Sequence, residues 1–143
     1  MNILFLCTGN SCRSQMAEGW ARHMVGSSHE IQSAGIKAHG KNPRAIAVMA
    51  EVGIDISGQE STRLTEQMLK DADVLVTVCG HADERCPALP PGKKKIHWPL
   101  TDPAKATGSE DEIMAEFRAT RDEVSERVVD LLDELLHATQ QTA

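Results

Sequence analysis

The sequence predicts an α/β protein, a three-layer, doubly wound sheet of about four parallel strands. Three observations predict it. Short apolar runs alternate with stretches of helical periodicity, the pattern of strands joined by crossover helices. The runs at 2–6 and 73–78 are uninterrupted rather than alternating, which marks strands covered on both faces. The reactive residues Cys7, Cys79 and Asp102 each fall just after a strand signal, and ligands in such folds bind beyond the carboxyl ends of the strands. At 143 residues the chain fits one domain, residues 1–143, with room for a true core.

The elements follow in order. Asn2–Leu6 is a buried first strand. Gln15–Met24 is a helix presenting Met16, Trp20 and Met24 on one face. Glu30–Ser33 is a second strand, ending at Ala34-Gly35. Asn42-Pro43 opens a helix in which Ile46, Met49 and Val52 recur and which Gly53 stops. Leu64–Lys70 is a short helix with Thr65 as N-cap. Asp73–Val78 is the central strand, and Ile96–Trp98 a brief further one. From Ser109 onward Ile113, Phe117, Val124, Val128, Leu131 and Leu135 form one stripe, the core face of a long helix with a break expected near Thr120. The tail 137–143 is polar enough to fray. No repeats or low-complexity tracts interrupt the pattern.

Composition narrows the function. Apolar residues make up 41% and charged residues 25%, with a net charge of −6. That balance argues against a nucleic-acid partner, and Lys93–Lys95 reads as a solvated loop. No apolar stretch approaches the ~18 residues that span a bilayer, and the first residues lack a signal-peptide pattern. A cytoplasmic monomer without membrane attachment is expected. There the four cysteines, 7, 12, 79 and 86, are reduced and more often catalytic or metal-binding than structural.

Residues 7–14, Cys-Thr-Gly-Asn-Ser-Cys-Arg-Ser, join the first strand to the first helix. Such a turn presents backbone N–H groups at a helix N-terminus, where the dipole favours anions. Arg13 adds a planar fork that matches two oxygens of a tetrahedral anion. The same field favours the charged form of the Cys7 thiol, the form that attacks. Thr8, Gly9, Asn10, Ser11, Cys12, Arg13 and Ser14 are therefore the candidate oxyanion cradle, and Cys7 its nucleophile.

Cys79 and Cys86 leave three readings open. Structural zinc sites space paired ligands by two to four residues, and the gaps here are four and six, so no metal is expected. Two inert buried cysteines are the bland reading, weakened by Cys79 ending a strand on the rim of Cys7. A disulfide needs Cα atoms about 4.4–6.8 Å apart. Seven steps span about 10.5 Å as helix and about 23 Å as strand, so neither regular form allows the bond. A Cys79–Cys86 disulfide requires the segment to rearrange. Gly80, Pro87, Pro90, Pro91 and Gly92 suit such mobility.

Asp102-Pro103 is by itself an ordinary turn. Beside Cys7 it is also a candidate acid, because attack on an oxyanion needs a proton for the departing oxygen. Of the histidines, His23, His29 and His137 fall on exposed patterns. His81 and His97 lie near the rim, and no catalytic role is assigned to them.

Together Cys7–Ser14, the Cys79/Cys86 pair, Cys86–Pro91 and His97–Pro103 resemble the thioredoxin-coupled arsenate reductases, which share the low-molecular-weight protein tyrosine phosphatase fold. The resemblance runs along nearly the whole chain. It implies reduction of arsenate to arsenite, an arsenic detoxification, through three cysteines. Cys7 attacks arsenic while Arg13 and the loop amides hold the oxygens and Asp102 protonates the leaving hydroxyl. A transient Cys7–Cys79 disulfide passes to Cys79–Cys86, which thioredoxin or a similar dithiol reduces. Ser14 hydrogen-bonds the Cys7 thiolate and Asn10 shapes the loop. Cys12 is non-essential, and no cofactor is implied. Some members bind potassium through a segment that here reads Gln59-Glu60-Ser61-Thr62, with the carboxylate displaced, so potassium is left unassigned.

The rival reading is a tyrosine phosphatase with an incidental cysteine pair. Such enzymes clamp a phenyl ring between aromatic walls. This chain has no tyrosine, two phenylalanines and two tryptophans, and Ala104 follows Pro103. A small inorganic oxyanion suits it better.

Overall fold

The structure, a computed structural model, describes residues 1–80 and 89–141, with side chains to 135. Strand β1 (Asn2–Cys7) leads through the 8–12 turn into α1 (Arg13–Val25). Then come β2 (Glu30–Gly35), α2 (Pro43–Glu51), α3 (Glu66–Asp71), β3 (Val74–Thr77) and β4 (Lys94–His97). A 3₁₀ turn at Pro103–Lys105 precedes the closing helix α4 (Glu110–Gln141).

The four strands form one parallel sheet in the order β2-β1-β3-β4, as the alternating pattern predicts. Register aligns Cys7 with Gly35, Leu6 with Thr77 and Thr77 with His97, which places these residues along the carboxyl rim. Ile3–Cys7 and Val74–Thr77 are buried at every position, so both faces of the two central strands are covered. Helix α1 packs on β1, β2 and α4, while α2 packs on α1 and α4.

Several local expectations shift by a residue or two, each for a physical reason. Strand β4 starts two residues before Ile96 and draws in Lys94 and Lys95, which are exposed because β4 is an edge. Trp98 lies past the strand end yet is buried, its ring centroid 5.7 Å from that of Phe5. Helix α1 opens at Arg13, and it buries Met16, Ala17 and Ala21 while Met24 reaches solvent. Trp20 is half-buried and donates to the Arg121 carbonyl at 3.1 Å. In α2 the buried face is Ala45, Val48 and Met49, with Val52 already past the helix and exposed. Gly53 takes φ 81°, a left-handed conformation that ends the helix cheaply for glycine alone.

Capping follows the sequence signals. Asn42 accepts from the Arg44 N–H with Pro43 at the first helical position, and Thr65 accepts from the Met68 N–H. Helix α4 runs on without a break at Thr120, whose hydroxyl donates to the Glu116 carbonyl at 3.0 Å within the helix. The backbone stays helical to Gln141 where fraying is expected, since nothing between 120 and 141 is Pro or Gly. Phe117, Val124, Val128, Leu131 and Leu135 bury the predicted stripe.

Candidate active site

Cys7 ends β1, and the chain must turn at once to begin α1 six residues later. Asn10 makes that turn. It is the one non-glycine among the described residues with positive φ, 50°, a region that asparagine tolerates better than most. Its side chain then holds the loop. Oδ1 accepts from the Thr62 N–H at 2.7 Å, and Nδ2 donates to Ser14 Oγ at 2.8 Å and to Ser33 Oγ at 2.9 Å. Ser33 in turn donates to the buried Glu18 carboxylate at 2.6 Å.

This chain of donors has a fixed direction. The carboxylate only accepts and the asparagine NH₂ only donates. Ser14 Oγ therefore accepts from Asn10, and its own proton is free for Cys7 Sγ, 2.9 Å away. The Asn10 N–H lies 3.1 Å from the same sulfur. Two donors thus converge on one buried, unbridged thiol, the environment a thiolate needs. No acidic residue occupies the first turn of α1 to compete for its N–H groups.

Arg13 lies across the rim. Its Nη1 donates to the Leu100 carbonyl at 3.1 Å, and Nη2 sits 3.5 Å from Asp102 Oδ2. Asp102 Oδ1 accepts from the Ala104 N–H at 3.0 Å and so caps the 3₁₀ turn, whose Pro103 is buried. The turn reading and the acid reading of Asp102 are thus compatible: one oxygen caps, the other faces Arg13. Cys7, Arg13 and Asp102 line one cavity of about 290 Å³.

Cys12 is buried beside this cavity as the N-cap residue of α1. Burial pushes its thiol well above the ordinary cysteine range, and the Asp102 and Cys7 charges add to this against a partial offset from Arg13. Cys12 is therefore held as a thiol.

Cys79 follows β3 and is buried. Thr8 Oγ1 lies 3.1 Å from its sulfur, so the residue next to Cys7 touches the second thiol. A groove of about 560 Å³ links Thr8, Arg13, Cys79 and Asp102. The predicted convergence of Cys7, Cys79 and Asp102 on one rim holds. Cys86 and His81 fall among residues 81–88, outside the described residues.

The segment 59–62 supports the loop. The Glu60 carbonyl accepts from Gln15 Nε2 at 2.8 Å, and Gln59 donates to Gln15 Oε1 at 2.8 Å. Behind the loop a cavity of about 590 Å³ opens between Glu18, Arg22, Ser33 and Glu60, with Arg22 Nε on Glu18 Oε2 at 2.8 Å. No cluster of three His, Cys, Asp or Glu side chains suited to a metal occurs among the described residues.

Sequence reasoning missed three contributors. Ser33 comes from β2, and only the fold brings it to Asn10 and joins it to Glu18 of α1. The third, His39, lines the cavity with Cys7 and Arg13. Its signal was Gly9, where a Cβ would stand 2.5 Å from His39 Nδ1. Gly35 is required for a like reason: a Cβ there would meet the Asn10 nitrogen at 2.7 Å.

Comparison with known proteins finds relatives along most of the chain. Residues 2–141 match the family model described as low molecular weight phosphotyrosine protein phosphatase. The chain is 53% identical over 126 residues to the arsenate reductase of Halalkalibacterium halodurans, covering 88% of this chain and 91% of that protein. A solved arsenate reductase in the phosphate binding state superposes with a TM-score of 0.77 at 36% identity, covering 93% of this chain and 97% of that one. The thioredoxin-dependent arsenate reductase of Corynebacterium glutamicum gives a TM-score of 0.66 at 29% identity, covering 89% of this chain and 61% of that longer one. The chain belongs to the low molecular weight phosphotyrosine protein phosphatase family, among its arsenate reductases.

Proposed function

We propose that the protein reduces arsenate to arsenite through a thiol–disulfide relay, with thioredoxin or a similar dithiol as the final reductant. The observation that carries this is the pairing of sulfurs. Cys7 holds two hydrogen-bond donors, and Cys79 is bridged to the same loop by Thr8. A phosphatase needs the first thiol alone, whereas two-electron reduction needs a second. The cavity wall also lacks Phe, Tyr and Trp among the described residues, so nothing there clamps a phenyl ring.

Arg13 would leave Asp102 for two arsenate oxygens, with the loop amides on the others. The Cys7 thiolate attacks arsenic(V), and the departing oxygen leaves as water with the proton of Asp102. Cys79 then attacks the Cys7 sulfur. The new S–S bond forms as the S–As pair passes to arsenic, which leaves as arsenite. Two electrons from two thiols reduce one arsenic. Cys86, assigned by resemblance, attacks Cys79 and frees Cys7, and exchange with an external dithiol restores Cys79 and Cys86. This chemistry suits a reducing cytoplasm. Among the described residues no helix is long and apolar enough to cross a membrane.

The test is arsenate-dependent oxidation of reduced thioredoxin. The wild type is expected to turn over continuously and Cys86→Ser to stop after about one arsenite per chain. Equal steady-state turnover by the two proteins would overturn the relay.

A further inference from the structure

We propose that His39 is an oxyanion-binding residue, its imidazole donating an N–H to an oxygen of the arsenate held in the loop. This rests on the reading of residues 7–14 as the arsenate site.

The position of His39 is built rather than incidental. Four loop carbonyls, those of Cys7, Thr8, Gly9 and Ser11, accept from the N–H groups of Ile36, Lys37, His39 and Asn42 at 2.9–3.1 Å. The stretch after β2 is thereby sewn along the outside of the loop, and its backbone takes up the loop's carbonyls rather than its amides. His39 is one of those stitches, so its Cα is fixed against Gly9.

Its ring then lies where a side chain at position 9 would project. A Cβ on Gly9 would come within 2.5 Å of Nδ1 and 3.0 Å of Cγ, an approach that only glycine permits. The imidazole becomes part of the wall that Cys7, Arg13 and Asp102 share. No hydrogen bond or ion pair to this ring occurs among the described residues. A pinned donor with spare capacity, facing a cavity made for an anion, is a binding group.

Arg13 supplies a fork for two oxygens and Asp102 serves the one that leaves. An imidazole N–H adds a directed donor for another. Charge-assisted bonds of this kind are the stronger ones, and for a solvent-facing ring the loss of one is expected to weaken binding about tenfold.

The experiment is calorimetric titration of inorganic phosphate, a non-reducible tetrahedral anion, into the reduced protein, with KM and kcat for arsenate measured in parallel. His39→Ala is expected to raise the phosphate Kd about tenfold. His39→Phe, which keeps a ring against Gly9 without a donor, is expected to match it, and His39→Asn, a neutral donor, to lie within about threefold of wild type. KM is expected to follow the same ranking more closely than kcat. Phosphate affinity of the Phe or Ala variant equal to wild type would make His39 a wall and overturn the proposal. If instead the wild type binds no phosphate and Arg13→Ala changes nothing, the reading of the loop itself fails, and this proposal with it.

Discussion

Ser14 Oγ lies 2.9 Å from Cys7 Sγ and already accepts a hydrogen bond from Asn10 Nδ2. Its proton is therefore left for the sulfur. The arrangement begins at Glu18, whose carboxylate can only accept and so orients Ser33. The Cys7 thiol at one end of the loop is thus joined by a chain of hydrogen bonds to a buried carboxylate on the first helix, with no direct contact between them.

Removing the nearer donor is expected to be costly. Ser14→Ala leaves a cavity of only one oxygen but removes the donor that the proposed Cys7 thiolate would use, an effect of about 1.5–3 kcal/mol on a charged acceptor. Alkylation of Cys7 by iodoacetamide at pH 7 is expected to slow about tenfold or more, followed by mass spectrometry of the 7–14 peptide. An unchanged rate would mean that Ser14 does not serve the thiolate.

Asp102→Asn separates acid catalysis from architecture. The amide oxygen can still accept from the Ala104 N–H, so the 3₁₀ turn persists. Arg13 loses its anionic partner, which is expected to leave phosphate affinity equal or tighter. Single-turnover arsenite formation is expected to fall about 10²–10⁴-fold. A parallel loss of binding would instead assign Asp102 a structural role.

Cys12 offers an internal control. Its burial holds it protonated far above neutrality, so alkylation of the native protein between pH 7 and 9 is expected to label Cys7 and spare Cys12. Labelling of both at similar rates would contradict the burial of Cys12 as well as its inertness.

The sheet was legible where burial is symmetric. Ile3–Leu6 and Val74–Val78 are buried throughout, and apolar but for Thr77, because both faces of these strands are covered, and no loop composition imitates that. Strand β4 was misplaced because an edge strand needs no apolar face, so Lys94 and Lys95 read as loop. Lys94 instead pairs with Glu134 of α4 at 2.6 Å. The cradle was legible because its spacing is local: Cys7, Arg13 and Ser14 lie within eight residues. Glu18, Ser33 and His39 were not, since their roles depend on how β2 and its following loop pack against the turn. Glycines 9 and 35 carried that information as close approaches, which a sequence shows only as an absence of side chain.

The helix scaffold has its own pH dependence. Glu51 accepts from Arg118 at 2.8 Å and from Arg121 at 2.9 Å, joining α2 to α4. Its carboxyl is held below the ordinary value of 4.5, chiefly by the hydrogen bond to Arg118. A depressed native value means that this stabilisation is complete above the unfolded-state value and is lost as pH falls through the native one. Glu51→Gln is expected to melt a few degrees below wild type at pH 7, the gap closing toward pH 3 and shrinking in high salt. A gap independent of pH in thermal melts would assign the effect to packing.

The most direct measurement is a disulfide map of the spent enzyme. Reduced protein is given arsenate without any reductant, arsenite is counted, and cysteine-bearing peptides are identified by mass spectrometry. One arsenite per chain is predicted, with Cys79 linked to Cys86 in the wild type and Cys7 linked to Cys79 in Cys86→Ser. Arsenite produced with all three thiols still free, or no arsenite at all, would contradict the relay.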